Sequence, residues 1–520
     1  MKRLFHLAAS ALFLIGICPI PGRADESAPK PPRLGTAQPF TFDLLVERAK
    51  RMASAPYEDG AAPRSANILE QIDYDAFGKI SFRPERTLRI GKSDIRLFHL
   101  QRYAKKPVGI HLIQDGASQE VLFSPEFFHT PTDSPARDLP EDIGFAGFRV
   151  LEAGKEADWM AFMGAAYFRT SGELNQFGLS ARALAVGTAM PEPEEFPRFT
   201  NFYFAPSPTG ALVIHALMDS PSVTGAVRFD VARPGGVIMH INARFFARKE
   251  MPRMGLAPLT SMFWFSEFSR RQATDWRPEI HDSDGLAIWT GNGERLWRPL
   301  NNPSRVMTSS FLDRDIKGFG LAQRDRNFDH YQDDGVFYER RSTCWVEPLG
   351  NWGPGMVQLV EIPTDDEIYD NIVAYWLSEK PVLAGQEVRL DYRLHWVKDE
   401  PYPPSVGRVF STRTGAGGVP GQPRPPGVVK FVIDFEGQTL ADLGREDGVE
   451  AVVSASSGKI SGTYSLPVVG TNRWRAVFDL APVSLDPVEL RLFLKRKGVA
   501  LTETWLSQYH PEKLAPTARK

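Results

Sequence analysis

Hydrophobic and polar positions alternate with a period of two along much of the chain. Over residues 388–397 the apolar set is Val388, Leu390, Tyr392, Leu394 and Trp396, with Arg389, Asp391, Arg393 and His395 between them. Successive side chains of a strand point to opposite faces, so this pattern predicts a strand with one buried and one wet face. Val237, Met239, Ile241, Ala243 and Phe245 predict a second strand, Phe431, Ile433 and Phe435 a third, and Leu490, Leu492 and Leu494 a fourth. The 3.6-residue period of a helix is sparse, with residues 42–52 its best instance. Proline and glycine, 42 and 43 residues, punctuate these runs at short intervals. Many short strands joined by turns predict an all-β protein of β-sandwich architecture.

One boundary is legible inside this pattern. Pro401, Pro403 and Pro404 follow the strand that ends near Val397, and residues 414–426 are rich in Gly and Pro without periodicity. The stretch 401–426 is therefore expected to be a linker or a long functional loop. Residues 427–512 have the length of one immunoglobulin-like sandwich, which leaves 37–400 for a large sandwich domain. Ahead of it, Lys2 and Arg3 precede an apolar stretch, and Gly22-Arg23-Ala24 offers small residues to a signal peptidase. The apolar stretch is about 14–16 residues, short of the ~20 a spanning helix needs. Residues 1–24 are read as a cleaved signal peptide, with the mature chain starting near Asp25 in the periplasm. There is no adjacent Arg pair of the twin-arginine kind, so the Sec route is expected. Residues 25–36 are Pro-rich and expected to be disordered.

Composition narrows the partners. Lys plus Arg is 61 and Asp plus Glu 63, a near-neutral balance that argues against nucleic acid, which needs a basic face. Cys18 leaves with the leader, and Ile17 stands where lipoprotein processing wants a small residue. Cys344 then has no internal partner, so the core and not a disulfide must stabilise the chain.

No GxSxG elbow, P-loop or HExxH is present, and the ten histidines lack metal-ligand spacing. Asp282-Ser283-Asp284-Gly285 opens like a calcium loop but lacks the third acidic position and the closing Glu. Gly415, Gly417 and Gly418 precede no helical pattern, which sets aside a dinucleotide site. No metal and no cofactor are expected. Carboxylates and aromatics remain. Seven of the eleven tryptophans lie between Trp264 and Trp376, where they either build the core or stack on sugar rings. The same window holds two acidic segments, 277–285 and 361–371, each abutting strand-like sequence. Glycoside hydrolysis needs one carboxylic acid and one carboxylate flanking the bond. These segments either supply that pair or are ordinary solvated loops.

Several long blocks carry a family resemblance. They include Ile143-Gly144-Phe145-Ala146-Gly147-Phe148-Arg149-Val150, Tyr167-Phe168-Arg169 and Ala257-Pro258-Leu259-Thr260-Ser261-Met262-Phe263. The His281-Asp282-Ser283-Asp284-Gly285 segment, Arg298-Pro299-Leu300-Asn301-Asn302-Pro303, Trp345-Val346-Glu347-Pro348 and Val360-Glu361-Ile362-Pro363-Thr364 continue it. Asp370-Asn371-Ile372-Val373, Thr412-Arg413-Thr414-Gly415 and Glu503-Thr504-Trp505-Leu506 complete it. From about residue 38 to 510 the chain resembles the periplasmic glucan biosynthesis family OpgG/OpgD, also called MdoG/MdoD.

The resemblance implies a large N-terminal sandwich similar to galactose mutarotase-like domains and a small C-terminal immunoglobulin-like sandwich. It implies a role in osmoregulated periplasmic glucans with a β-1,2-linked backbone, some members being similar to endo-acting, anomer-inverting β-1,2-glucanases. On that likeness Asp370 matches the general acid, and Asp282 the carboxylate that acts as base through a water relay. Glu367 matches a further acidic cleft residue and Tyr338 a nearby aromatic hydroxyl. Glu367, with Asp365 and Asp366, is expected to crowd Asp370 with negative charge and so hold its proton. Trp297, Trp345, Trp352 and Trp376 are the candidates to line the cleft, and Arg413 to support a carboxylate or a sugar hydroxyl. The expected partners are β-1,2-glucan and the inner-membrane glucan glucosyltransferase, with a homodimer left open. The Sec-type leader leans towards the OpgG type. Two functions fit: a β-1,2-glucan hydrolase, or a non-hydrolytic glucan-binding or branching factor beside the glucosyltransferase.

Overall fold

The computed structural model describes residues 31–59, 63–270 and 273–511. The expected signal peptide, residues 1–24, lies outside them. Among the described residues two large sheets, a four-stranded sheet and two two-stranded sheets carry the chain, as the alternation predicts. Val237–Ala247 and Glu387–Val397 are strands paired antiparallel, from Val237 opposite Trp396 to Phe246 opposite Glu387. The alternating apolar residues of both point inward and are buried, apart from the half-buried Val388 near the start of the second.

The first sheet runs from Gln38–Pro39 at its edge through Arg198–Ala205, Leu212–Asp219, Val223–Ala232 and Val237–Ala247. It continues through Glu387–Val397, Thr343–Pro348, Gly318–Ala322, Gly285–Trp289 and Arg295–Pro299. The second is built around Met307–Arg314, Pro354–Glu361, Ile372–Ser378 and Met254–Ser261, then Asp158–Met163, Phe145–Glu152 and Ser93–His99. Apolar residues from both sheets form one core. In it the rings of Phe148, Phe162 and Phe168 stack at 4.9 Å spacing. The expected helix is present as Phe42–Ala53, its first turn capped by the Thr41 hydroxyl, which accepts from the Leu44 N–H at 3.2 Å. Leu45, Val46 and Ala49 bury one face of it against Tyr203, Leu217, Ala226 and Phe246 of the first sheet.

Two expectations need correction. Residues 31–36 of the segment taken as disordered are held to the body: Leu34 bridges Val121, and the Gly35 N–H donates to the Glu120 carbonyl at 2.8 Å. The outer strand Ala117–Glu120 offers unpaired backbone groups at a sheet edge, and the extended chain satisfies them. Secondly, Arg408–Ala416, inside the expected linker, is a strand paired antiparallel with Val429–Glu436. It completes a four-stranded sheet with Lys459–Pro467 and Arg473–Ala481. The opposite layer of this C-terminal unit is an extension of the first sheet. Thr504–Tyr509 lies parallel to Arg295–Pro299 and leads on to Val488–Arg496 and Glu450–Ala455. Phe431, Phe478, Trp474 and Trp505 therefore share a core with Ala287, Trp297 and Trp345 of the large domain.

Candidate active site

The two acidic segments meet where the sheets come together. Asp282 follows the short strand Ile280–His281 and precedes Gly285–Trp289 of the first sheet. Its N–H donates to the Met262 carbonyl at 2.8 Å, just past the end of Met254–Ser261 in the second sheet. Asp370 ends the loop that joins Pro354–Glu361 to Ile372–Ser378. Two asparagines fix that loop. The Asn371 amide accepts from the Phe263 N–H at 2.8 Å and donates to the Phe263 and Ile362 carbonyls at 2.9 Å. Asn302 accepts from the Thr364 N–H at 2.9 Å and donates to the Thr364 and Trp264 carbonyls at 2.7 and 3.1 Å. A buried amide side chain paired to backbone on both its donor and acceptor sides holds a loop in one conformation.

Asp282 is buried, and burial pushes its carboxyl up to about 6. Arg341 opposes that rise, Asp370 adds to it, and His281 and Arg169 pull it back down. The Arg341 guanidinium lies 2.9 Å from Asp282 Oδ1 without being aligned on it, so Oδ1 and Arg341 Nε keep hydrogen-bonding capacity inside the site. His281 donates into Glu279 at 3.0 Å and is raised to about 9: burial works against its charge, but Glu279 and Asp284 outweigh it. It is therefore an imidazolium at neutral pH. Asp370 is half-buried, and its charge acts on Asp282, Arg169, Arg182 and Tyr167. The fold thus places both candidate carboxylates in one electrostatic neighbourhood.

Glu367 belongs to a different arrangement from the one expected. Arg277 Nη1 and Nη2 each donate to its carboxylate at 3.0 Å, and the Tyr338 hydroxyl donates to the same carboxylate. The same guanidinium reaches Asp333 at 2.6 Å and Asp275 at 3.0 Å. Glu367 is thereby paired with Arg277 and Tyr338, though one guanidinium shared by three carboxylates leaves the cluster net negative; Asp370 itself interacts with the cations Arg169 and Arg182 as well as with Asp282. Tyr338 is fully buried, with Arg341 over its ring at 4.8 Å, and burial together with Asp282 and Glu367 holds its hydroxyl protonated. Asp282, Arg341, Tyr338, Glu367 and Arg277 form one continuous charged network.

The tryptophans assigned to the cleft are elsewhere. Trp297 and Trp345 are buried in the core shared with the C-terminal unit. Their indoles lie over Gly285 and Gly318 on neighbouring strands, where an added Cβ would come within 2.5 and 2.4 Å of the ring. Glycine at those positions makes the flat space that the rings fill. Trp376 is fully buried in the main core. Trp352 packs on Trp376 and Tyr392 beyond the Pro354 end of Pro354–Glu361, whereas the Asp370 loop leaves its Glu361 end. At ~3.3 Å per residue that strand puts over 20 Å between them. Arg413 supports a carboxylate, though not those of the acid–base pair: it contacts Glu267 at 3.2 Å and Asp434 at 3.1 Å. Glu267 also accepts the Thr412 N–H at 3.1 Å, and burial pushes its carboxyl up to about 7 against the pull of Arg413. This contact ties the strand Arg408–Ala416 to the loop that leads into Ile280–His281.

Sequence reasoning missed the cations. Arg341 and Arg182 carry no local signal, Arg169 stood inside a family block, and Arg277 opens the first acidic segment, where its excess of carboxylates called for a counter-ion. Among the described residues, Glu279, Asp325 and His330 bring potential metal-ligand atoms within 4.8 Å of one another. Each already has a protein partner, Glu279 with His281 and His330 with Asp325.

The family model described as "Periplasmic glucan biosynthesis protein, MdoG" matches residues 40–509. The chain is 49% identical over 530 residues to "Glucans biosynthesis protein D 2" of Ralstonia nicotianae, covering 97% of each. It is 46% identical to "Glucans biosynthesis protein D" of Stenotrophomonas maltophilia over 488 residues, 92% of this chain and 91% of the relative. With the protein of that name from Xanthomonas oryzae pv. oryzae it shares 42% over 531 residues, 100% and 99% of the two. These relatives bear the D name, against the lean towards the G type taken from the leader. A match of this extent, over both sheets and the C-terminal unit, establishes that the chain belongs to the periplasmic glucan biosynthesis family.

Proposed function

We propose that this protein is a periplasmic, endo-acting, anomer-inverting β-1,2-glucanase that trims the backbone of glucans made by an inner-membrane glucosyltransferase. The observation that carries the reading is the juxtaposition of Asp282 and Asp370 in contrasting settings. Asp282 is buried beside Arg341 and its carboxyl stands at about 6, so it is mostly ionised at neutral pH and fit to accept a proton. Asp370 is half-buried at the end of a loop fixed by asparagines. A sugar closing over it removes water, which disfavours a charged carboxylate, and works against Arg169 and Arg182, which favour it.

In the reaction Asp370 gives its proton to the leaving glycosidic oxygen as the bond to the anomeric carbon breaks. Water attacks that carbon from the opposite face, and its proton passes to Asp282, directly or through a relay. Inversion requires the two carboxyls to stand ~6.5–9.5 Å apart, or further with a relay. Tyr338 and Glu367, locked together and to Arg277, wall the site beside Asp282.

The test compares Asp370→Asn and Asp282→Asn with wild type on linear β-1,2-glucan. Each variant is expected to lose about 10²–10⁴ in turnover while its affinity for the glucan stays within a few-fold of wild type. Unchanged turnover in either variant refutes that residue's role. If the wild type itself cleaves no glucan, the non-hydrolytic glucan-binding reading replaces this one.

A further inference from the structure

All eleven tryptophans lie among the described residues, and one of them, Trp276, is exposed, at 72%. A single exposed apolar side chain is ordinary, but an exposed indole tied to a loop that exposes further apolar side chains next to a candidate acid is a candidate ligand contact. The backbone turn that carries it is held in place. The Asp275 carboxylate accepts the backbone N–H groups of Trp276 and Arg277, the latter at 2.8 Å, which holds the turn in shape. The next side chain, Arg277, is bound to Glu367 through two 3.0 Å hydrogen bonds and to Asp333 at 2.6 Å. This clamp draws the Trp276 turn against the loop that carries Asp370. On that loop Ile368 and Tyr369, next to Glu367, are themselves 45% and 43% exposed. The Arg277–Glu367 bonds thus join the loop carrying Trp276 to the loop carrying Ile368, Tyr369 and Asp370, and the three carboxylates on that one guanidinium leave a net negative charge that disfavours an anionic ligand.

We propose that Trp276, with Tyr369 of the loop it is clamped to, is a stacking platform for a glucosyl ring of the glucan chain, at a subsite away from the bond that is cleaved. The flat face of a β-glucosyl ring presents C–H groups that carry partial positive charge, and the face of an indole is negative. An aromatic face beside a net-negative cluster therefore suits a neutral saccharide better than an anion. The inference rests on the saccharide reading of the site and not on hydrolysis.

The test uses the full chain carrying Asp370→Asn, so that glucan is bound and not consumed. Affinity for long linear β-1,2-glucan and for the disaccharide sophorose is measured by calorimetry, with tryptophan fluorescence followed in parallel. Adding Trp276→Ala is expected to weaken the long chain about tenfold, the scale of one stacked ring. Trp276→Phe is expected to retain most of the affinity and to lose most of the fluorescence change. The thermal midpoint should stay with the parent, because the ring is in water; this separates lost stacking from lost folding. Wild-type affinity for the long chain in Trp276→Ala overturns the proposal, as does failure of the parent to bind any β-1,2-glucan. If wild type proves non-hydrolytic and Trp276→Ala still loses affinity, the platform stands and only the hydrolytic reading falls. If wild type hydrolyses and Trp276→Ala binds normally, the reverse holds.

Discussion

Arg277→Gln tests the clamp on which the site's geometry depends. One guanidinium, its side chain 11% exposed, holds three carboxylates: Asp275 at 3.0 Å, Asp333 at 2.6 Å and Glu367 twice at 3.0 Å. Removing one partner of a buried ion pair costs about 3–5 kcal/mol, because the other charge is left without compensation. Asp275 and Glu367 retain some access to water, which places the expected loss at the lower end, about 3 kcal/mol. Unfolding entropy of ~2.1 cal/mol/K per residue over so long a chain converts this to only about 3 °C in Tm. Denaturant titration followed by tryptophan fluorescence is therefore the better assay. The sign of the pH dependence is fixed. Asp275 is held below its ordinary value chiefly by its hydrogen bond to Arg277. Asp333 is also lowered: burial pushes it up, but the Val336 N–H and Arg277 outweigh that. Such depressed carboxylates contribute stability at neutral pH that is lost as the pH falls through their folded pKa values. The gap between wild type and Arg277→Gln should be full at pH 7 and close as the pH drops below about 4. No gap at pH 7, or a gap untouched by acid, refutes the clamp.

Two further predictions concern neighbouring charges. Arg341→Met removes the cation 2.9 Å from Asp282, leaving its carboxyl facing Asp370, His281 and Arg169, so the acidic limb of kcat/KM should move upward from about 6. A limb that does not move contradicts the pairing. Glu267, raised by burial from 4.5 to about 7, contributes stability that is lost as the pH rises through 7; Glu267→Gln should gain on wild type between pH 5 and 8 by about 1–2 kcal/mol after allowance for solvent screening, read from denaturant titrations at several pH values.

The strands were legible because each carries its own period-two signal: residues 237–245 and 388–396 announce a buried face without help from the rest of the chain. The site was legible only in part. Asp282 and Asp370 stand in segments whose acidity is local, and the family blocks gave them roles. Their counter-ions come from remote strands and loops, and no local pattern says that Arg341 lies against Asp282 or that Arg277 binds Glu367. Tryptophan density misled for a similar reason. The space that receives Trp297 and Trp345 is made by Gly285 and Gly318 on other strands, while Trp276 is distinguished only by its exposure. The strand Arg408–Ala416 was hidden because the Gly/Pro composition begins within its last residues.

The most direct test of the central claim is the configuration of the first product. Purified wild-type protein is mixed with linear β-1,2-glucan in an NMR tube and the new reducing ends are followed from the first turnover. The account predicts new reducing ends that appear first as the α-anomer, from internal cleavage, and none above background with Asp370→Asn. First appearance of the β-anomer would contradict inversion by Asp282 and Asp370, and no new reducing ends from wild type would contradict hydrolysis itself.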